Sequence, residues 1–402
     1  MIKQGDLYKN KEECCGCELC TQVCPKQVLC MSPDDEGFFY PSIKQPEACV
    51  DCKRCISVCP FKDSSIESKE LKESYGGYAK CDEDIKRSSS GGLATLLSRY
   101  IISKGGIVYG VKYSDDCLSA LFSRAENECE IEAFRTSKYI QAKKGEIYKS
   151  IMQDVKAGQI TLVIGLPCEI AALYNFLRKD YDNLYTISLI CHGPTSSKVH
   201  NDFCTSLINK YKSNINHISV RYKKNGWKPY YIKVLFENGK TYLKQFRYTN
   251  YEIAFQYLKR PSCSYCPFKY SKYGKGIKAD LVIGDFHMAH KGMVQFNRWG
   301  SSQVSVFSNK GDYLINSISN DFNLYSITKE QATNNNIAFI EPIPMKKERQ
   351  LFSNQFVYDS LDSACNMREV RIPFIKRRII NAFKDLFRPL YKKTLMIIRK
   401  IH

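Results

Sequence analysis

The sequence predicts a small α+β module followed by a larger α/β domain with a mainly parallel sheet and an antiparallel insertion. Three observations carry that reading. Two cysteine runs, "CCGCELCTQVCP" and "CVDCKRCISVCP", lie thirty-five residues apart within the first 65 positions. Beyond about residue 75, strand-like and helix-like patterns alternate, which argues for parallel strands with helices on the sheet faces. One later segment, "YYIKVLFENGKTYLKQF", instead alternates apolar and polar residues on both sides of Asn238-Gly239, a hairpin signal.

The first element is the duplicated cysteine block. Counting from Cys14, the first run is Cys14-x2-Cys17-x2-Cys20-x3-Cys24-Pro25, and the second is Cys49-x2-Cys52-x2-Cys55-x3-Cys59-Pro60. Such spacing wraps three thiolates around a cubane cluster and sends the fourth elsewhere. In two-cluster ferredoxins the fourth cysteine of each run serves the other cluster. One [4Fe-4S] cluster therefore takes Cys14, Cys17, Cys20 and Cys59, and a second takes Cys49, Cys52, Cys55 and Cys24. Zinc held by four sulfurs is the rival reading, but zinc sites ordinarily use separated pairs rather than two complete runs ending in Cys-Pro. Cys15, Cys30 and Cys81 are left over. The module resembles the bacterial two-cluster ferredoxins over its whole length, residues 1 to 65.

"KDSSIESKELKES" reads as a linker. After it, "SSSGGLATLLSRYIISKGG" places Leu93, Leu96, Leu97, Tyr100 and Ile101 on one helical face, with serines and glycines before it and Gly105-Gly106 behind. "IVYGVKY" follows as a strand. "ITLVIG", "EIAALYNFLRK", "LYTISLI" and "SSKVHNDFCTSLINKYK" make a βαβα run, and "DLVIGDF" supplies a further strand. The expected division is 1–65, 75–150, 151–325, and a C-terminal extension over 326–402.

Two more thiols, Cys168 in "VIGLPCEIAAL" and Cys191 in "SLICHGPTSS", follow predicted strands, where parallel α/β sheets open their crevices. Cys263 and Cys266 form a C-x2-C pair in "PSCSYCPFKYS". These four suit a third cluster. The competing readings are buried free thiols for the first two, and a redox dithiol or half a zinc site for the pair. Ser90-Gly91-Gly92 precedes a helix whose N-terminal N–H groups attract anions, although most such clusters only cap. No G-x-G-x-x-G follows a strand, so an ordinary Rossmann dinucleotide site is not supported.

Taken in order, "SSSGGLATLL", "TSKYIQA", "VIGLPCEIAAL", "CHGPTSS", "RYKKNGWK", "CSYCPFK" and "ADLVIGDF" resemble the coenzyme F420 hydrogenase/dehydrogenase beta-subunit family from about Tyr75 to about Asn320. Members of that family are flavoproteins, so the resemblance implies FAD in the crevice beside a cluster, exchanging a hydride with a substrate. It carries over Ser90, Gly91, Gly92, Ser137, Lys138, Tyr139, Gly165, Pro167 and Asp285 as cofactor-lining residues. Thr136 departs from the glycine expected before Ser-Lys-Tyr, Leu166 from a small polar residue, and Ala142 from a serine. The deazaflavin coenzyme itself does not follow from the resemblance. No catalytic residue is assigned; His192, His287 and His290 flank the motifs and serve equally well as structural or surface histidines.

Composition bounds the rest. With 402 residues and 44% hydrophobic content the chain buries a sizeable core, and an odd count of nineteen cysteines argues against a disulfide framework. "MIKQGDLYKN" lacks a signal-peptide core, and no apolar run approaches the roughly 18 residues of a spanning helix, so a cytoplasmic protein is expected. The net charge is +19, and residues 366–402 carry eleven Lys/Arg against Glu369 and Asp385. In that tail Ile375, Ile379, Phe383 and Leu386 share a helical face. A basic amphipathic segment of this kind lies on an anionic membrane surface or packs on protein; nucleic acid has little else to support it. The expected function is an iron–sulfur flavoprotein oxidoreductase that exchanges electrons with a ferredoxin-like protein. A non-catalytic electron-transfer subunit and a zinc-binding interaction module are the rivals.

Overall fold

A computed structural model describes residues 2–63, 67–271, 274–376 and 379–380. Its strands are β1 (Leu29–Pro33), β2 (Phe39–Ile43), β3 (Glu73–Ala79), β4 (Ile107–Tyr113), β5 (Ala120–Ala125), β6 (Ala142–Lys143), β7 (Thr161–Gly165), β8 (Leu184–Leu189), β9 (Ile215–Tyr222), β10 (Tyr231–Phe236), β11 (Thr241–Gln245), β12 (Leu281–Asp285), β13 (Ser302–Val306) and β14 (Phe322–Ser326). The main helices are α1 (Leu93–Ser103), α2 (Ile147–Lys156), α3 (Pro167–Leu177), α4 (Ser197–Tyr211), α5 (Asn250–Tyr257), α6 (Asn309–Ser317) and α7 (Arg349–Tyr358).

Nine strands form the central sheet in the order β14-β3-β13-β12-β8-β7-β4-β5-β6. Its middle, β12-β8-β7-β4, is parallel. β13, β3 and β14 extend one edge antiparallel, and β5 joins β4 antiparallel on the other side. The expectation of a mainly parallel sheet is therefore corrected: the sheet is mixed, with as many antiparallel as parallel neighbours. The reason lies in β3. The polar linker "KDSSIESKELKES" runs into the first residues of β3, a strand not assigned from the sequence; there a Cβ on Gly77 would stand 2.0 Å from the Asn323 carbonyl, and one on Gly76 2.8 Å from the Phe286 ring. Close packing, not a turn, requires them.

Alternation along each central strand explains why both faces are covered. Ile107, Tyr109, Val163 and Val282 point into one buried cluster with α2 and α3, whereas Val108, Leu162, Leu281 and Ile283 point into another with α1 and α6. Leu162, Leu184 and Leu281 are fully buried; each contributes about 1.5–3 kcal/mol of transfer free energy. The expected hairpin forms as β10-β11, with Gly239 at φ +80, and β9 completes a separate three-stranded antiparallel sheet packed on α4 and α5.

The N-terminal module is a duplicated loop around the β1-β2 hairpin. Gly16 and Glu18 take left-handed φ values of 65 and 64, and their counterparts thirty-five residues on, Asp51 and Lys53, take 51 and 55. Each pair leads into a four-residue helix, Leu19–Gln22 or Arg54–Ser57. The two halves meet different surroundings. Leu19 and Val58 are buried in the large domain's core, while Val50, Asp51, Cys52, Lys53 and Arg54 are exposed. Among the described residues no helix is long and apolar enough to cross a membrane. The tail's Phe383 and Leu386 lie outside the described residues; Ile375 and Ile379 are exposed.

Candidate functional site

The structure brings the eight module cysteines close together in two groups. Cys24, Cys49, Cys52 and Cys55 line one cavity of about 180 Å³, together with Pro25, Val28 and Ile56. Cys14, Cys17 and Cys59 lie near enough to Cys20 to act on it: burial and then the charges of Cys17, Cys14, Cys59 and Cys55 push the Cys20 thiol well up. Burial, then Cys17, raises Cys59 to about 11. Thiols that raise one another in this way suit a polycationic iron–sulfide core, which offsets the repulsion of four thiolates. The donor set holds no imidazole or carboxylate. Among the described residues no three His, Cys, Asp or Glu side chains converge on a point that a single metal ion would occupy.

A second cavity lies where the module meets the sheet. It is lined by Cys168 at the start of α3, Cys191 past the end of β8, and Cys263 and Cys266. Cys263 is raised well above the thiol range by burial and then by Cys191, Cys168 and Cys266, and Cys266 is pushed up to about 12, chiefly by burial. Gly193, at φ +89, lets Cys263 approach: a Cβ there would stand 3.0 Å from its Sγ. These four residues thus share one pocket whose donors fit a third cluster. The sequence reading missed a fifth thiol. Cys15 lines the same pocket and hydrogen-bonds toward Cys168 and Cys17. The pocket also carries charges. Lys144 pairs with Glu169 at 2.9 Å, and Lys269 Nζ donates to the Cys191 carbonyl at 2.7 Å.

On the far side of Cys191 a cleft of about 300 Å³ opens at the carboxyl ends of the parallel strands. Ser90, Gly92, Ser137, Lys138, Tyr139, Gly165 and Asp285 line it. Gly91 and Pro167 do not. Gly91 packs against the Gly77 carbonyl and Ser302, where a Cβ would stand 2.6 and 2.8 Å from their backbone atoms. Pro167 lines the thiol pocket instead. Gly92, at φ +92, turns the chain into α1, whose first residues, Leu93 to Thr95, form one wall. Lys138 Nζ donates to the carbonyls of Ala133 at 2.9 Å and Arg135 at 2.7 Å, and burial lowers its ammonium to about 7. Opposite stands Arg221, ion-paired with Asp285 at 2.8 Å and donating to Ser89 O at 3.0 Å and the Tyr139 hydroxyl at 3.2 Å. His192 lines the cleft, and burial lowers it to about 4. His287 stands at the rim, stacked on Trp227, and exposed His290 is not among the lining residues.

Arg221, Lys223 and Trp227 went unassigned although they sit in the quoted "RYKKNGWK". Their signal was present: two cations and an aromatic at the end of a strand. Lys223 Nζ donates to the carbonyls of Ile85 and Ser90 at 2.6 and 2.7 Å and, through burial, falls to about 7.

Residues 159–330 match the family model for the C-terminal part of the coenzyme F420 hydrogenase/dehydrogenase beta subunit, and residues 13–62 match the 4Fe-4S dicluster domain. Among solved structures, the chain is similar to one from the F420-reducing [NiFe] hydrogenase complex of Methanosarcina barkeri. That match has 17% identity and a TM-score of 0.44, and covers 74% of this chain and 92% of the other. No curated protein matches.

Proposed function

We propose, from the match of residues 159–330 to the C-terminal part of the coenzyme F420 hydrogenase/dehydrogenase beta subunit and of residues 13–62 to the 4Fe-4S dicluster domain, that the chain is an iron–sulfur flavoprotein oxidoreductase of that family. The observation that carries the proposal is a shared wall. Leu166, Glu169, Cys191, Gly193 and Pro194 line both the thiol pocket and the cleft. A redox centre held by Cys168, Cys191, Cys263 and Cys266 would therefore adjoin whatever occupies the cleft. Bound there, clusters supply one-electron transfer and FAD supplies hydride exchange coupled to it.

The chain's own residues divide the work. Leu93 to Thr95 at the start of α1 line the cleft, and the N–H groups of a helix start suit the pyrophosphate of FAD, with Ser90, Ser137 and Lys138 on the same cleft. Arg221, held by Asp285, fixes a positive charge on the opposite wall. Apolar residues, Ile164, Leu189 and Ile283 among them, keep water from the cleft floor. On the module's outer face, exposed Cys52 and Val50 with Lys53 and Arg54 suit docking of a one-electron carrier of the ferredoxin type. Residues 1–65 thus serve as the electron-entry or electron-exit unit, and the remainder as the unit that holds the hydride carrier.

Anaerobic reconstitution followed by iron, sulfide and flavin analysis tests the reading. About twelve iron and twelve sulfide per chain, as three cubane clusters require, with one FAD and a flavin absorbance band that dithionite bleaches, is the expected result. Protein that takes up clusters but no flavin would instead be an electron-transfer subunit, and protein without iron would end the proposal altogether.

A further inference from the structure

Arg260 is the most unusual charge in the molecule. It is 1% exposed and lies between the first cysteine run and the thiol pocket. Its Nε donates to the Cys14 carbonyl at 2.8 Å, its Nη1 to Gln141 Oε1 at 2.8 Å, and its Nη2 to the Phe39 carbonyl at 3.0 Å and Cys14 Sγ at 3.7 Å. The guanidinium lies over the Tyr40 ring, 4.1 Å from its centroid. Gly16 makes room for it: a Cβ there would stand 2.8 Å from Nη1 and 2.3 Å from the Gln141 amide.

What it lacks is a carboxylate. Buried Lys144, Arg221 and Arg349 are each ion-paired, to Glu169, Asp285 and Glu36. Among the described residues no carboxylate pairs with Arg260. Burial lowers Lys138 and Lys223, also without an ion-paired carboxylate, to about 7, so each can give up its proton near neutral pH. An arginine cannot do so. A permanent buried cation needs an anion nearby, and the groups beside Arg260 that become anionic on binding a cluster are thiols: Cys14 Sγ lies 3.7 Å from Nη2, and Cys15 and Cys263 line the same pocket as the guanidinium.

We propose that Arg260 is the fixed counter-charge between the first cluster of the module and the third cluster, a positioning residue that raises the reduction potential of the Cys14-ligated centre and so favours electron residence beside the thiol pocket. The inference rests on the reading that these cysteines hold clusters. One-electron reduction adds one negative charge to the centre. The cation at Cys14 Sγ stabilises that reduced state more than the oxidised one. Carbonyl and ring contacts alone would hold the side chain in place without moving a potential, and this difference separates the proposal from a purely structural role.

The test is EPR-monitored redox titration of reconstituted wild-type, Arg260→Gln and Arg260→Lys protein. In Arg260→Gln, one resolved midpoint falls by at least the equivalent of tenfold in the one-electron equilibrium, about 59 mV, while the others move less. Arg260→Lys, which keeps the charge, stays near wild type. An Arg260→Gln protein with full iron content and unchanged midpoints overturns the inference. So does an Arg260→Lys protein shifted as far as Arg260→Gln. Should neither variant load iron, wild-type protein carrying 15N-arginine decides the matter: pulsed EPR of the reduced centre shows a 15N coupling through the Nη2 to Cys14 Sγ contact, and its absence refutes the proposal. Wild-type protein without iron would instead refute the cluster reading itself.

Discussion

Thr136 departs from the glycine that the resemblance leads one to expect, and its backbone shows what that departure costs: Thr136 has φ +65, a left-handed conformation that is a real outlier for a β-branched residue. Thr136→Gly is expected to stabilise the chain by up to about 1 kcal/mol, the lower end of the left-handed penalty, with the cleft unchanged. Chemical denaturation of the two proteins measures it; a destabilised glycine variant would show that the threonine side chain contributes more than its backbone costs. At the same scale, burial lowers Lys138 and Lys223 to about 7. Between pH 7 and 8.5 the unfolded chain still binds a proton at each lysine and the folded chain progressively does not. Flavin-free protein therefore gains stability as pH rises through that window, approaching about 1.4 kcal/mol per pH unit for each lysine. Replacing both with methionine removes that part of the slope, as urea denaturation at stepped pH would reveal.

Among elements, the duplicated loop is the clearest natural experiment. Both copies need left-handed backbone at the same two positions, yet the first uses Gly16 and the second Asp51. Asp51 is exposed, whereas Gly16 is packed against Arg260 and Gln141. Gly16→Ala combines the left-handed penalty with a clash and is expected to cost more than about 2 kcal/mol. Asp51→Ala meets no such clash and stays within about 1–2 kcal/mol. Thermal unfolding of the two reconstituted variants, with iron content as a second readout, distinguishes them; equal losses would mean that the packing around Gly16 is unimportant. This loop also marks what sequence makes legible. Cysteine spacing and periodicity are local, so the 4Fe-4S dicluster domain, α1, the βαβα run and the β10-β11 hairpin could be read directly. Cys15, Arg260 and Lys269 could not, because each acquires its meaning from partners far away along the chain. Strand β3 escaped because glycines that close packing demands look, in one dimension, like punctuation, and β13 and β14 because their partners are set by that distant strand.

Across the whole molecule, the order of the sites depends on the module keeping one orientation against the large domain. The contacts that fix it reach back from the far end of the chain. Glu36, at the tip of the β1-β2 hairpin, is 7% exposed and accepts from Arg349 of α7 at 2.9 and 2.5 Å, with Ser353 as a third donor. Gly37 beside it, at φ +84, leaves no room for a Cβ against Lys198 of α4. Removing one member of a buried ion pair strands the other, at about 3–5 kcal/mol. Arg349→Met alone should therefore lower stability by that amount, leaving Glu36 charged and unpaired. Glu36→Leu alone should do the same. The double variant should recover most of the loss, since replacing a buried pair with apolar side chains of similar volume is often neutral. A double-mutant cycle by denaturant unfolding measures the coupling, and additive losses would show that the pair is not what ties the hairpin to α7. Electron transfer adds a sharper readout. If the pair fixes the distance between the outer thiol set and the cleft, and the cleft holds FAD as proposed, each single variant should slow flavin reduction by an external one-electron donor while leaving iron and flavin content intact, and the double variant should restore it.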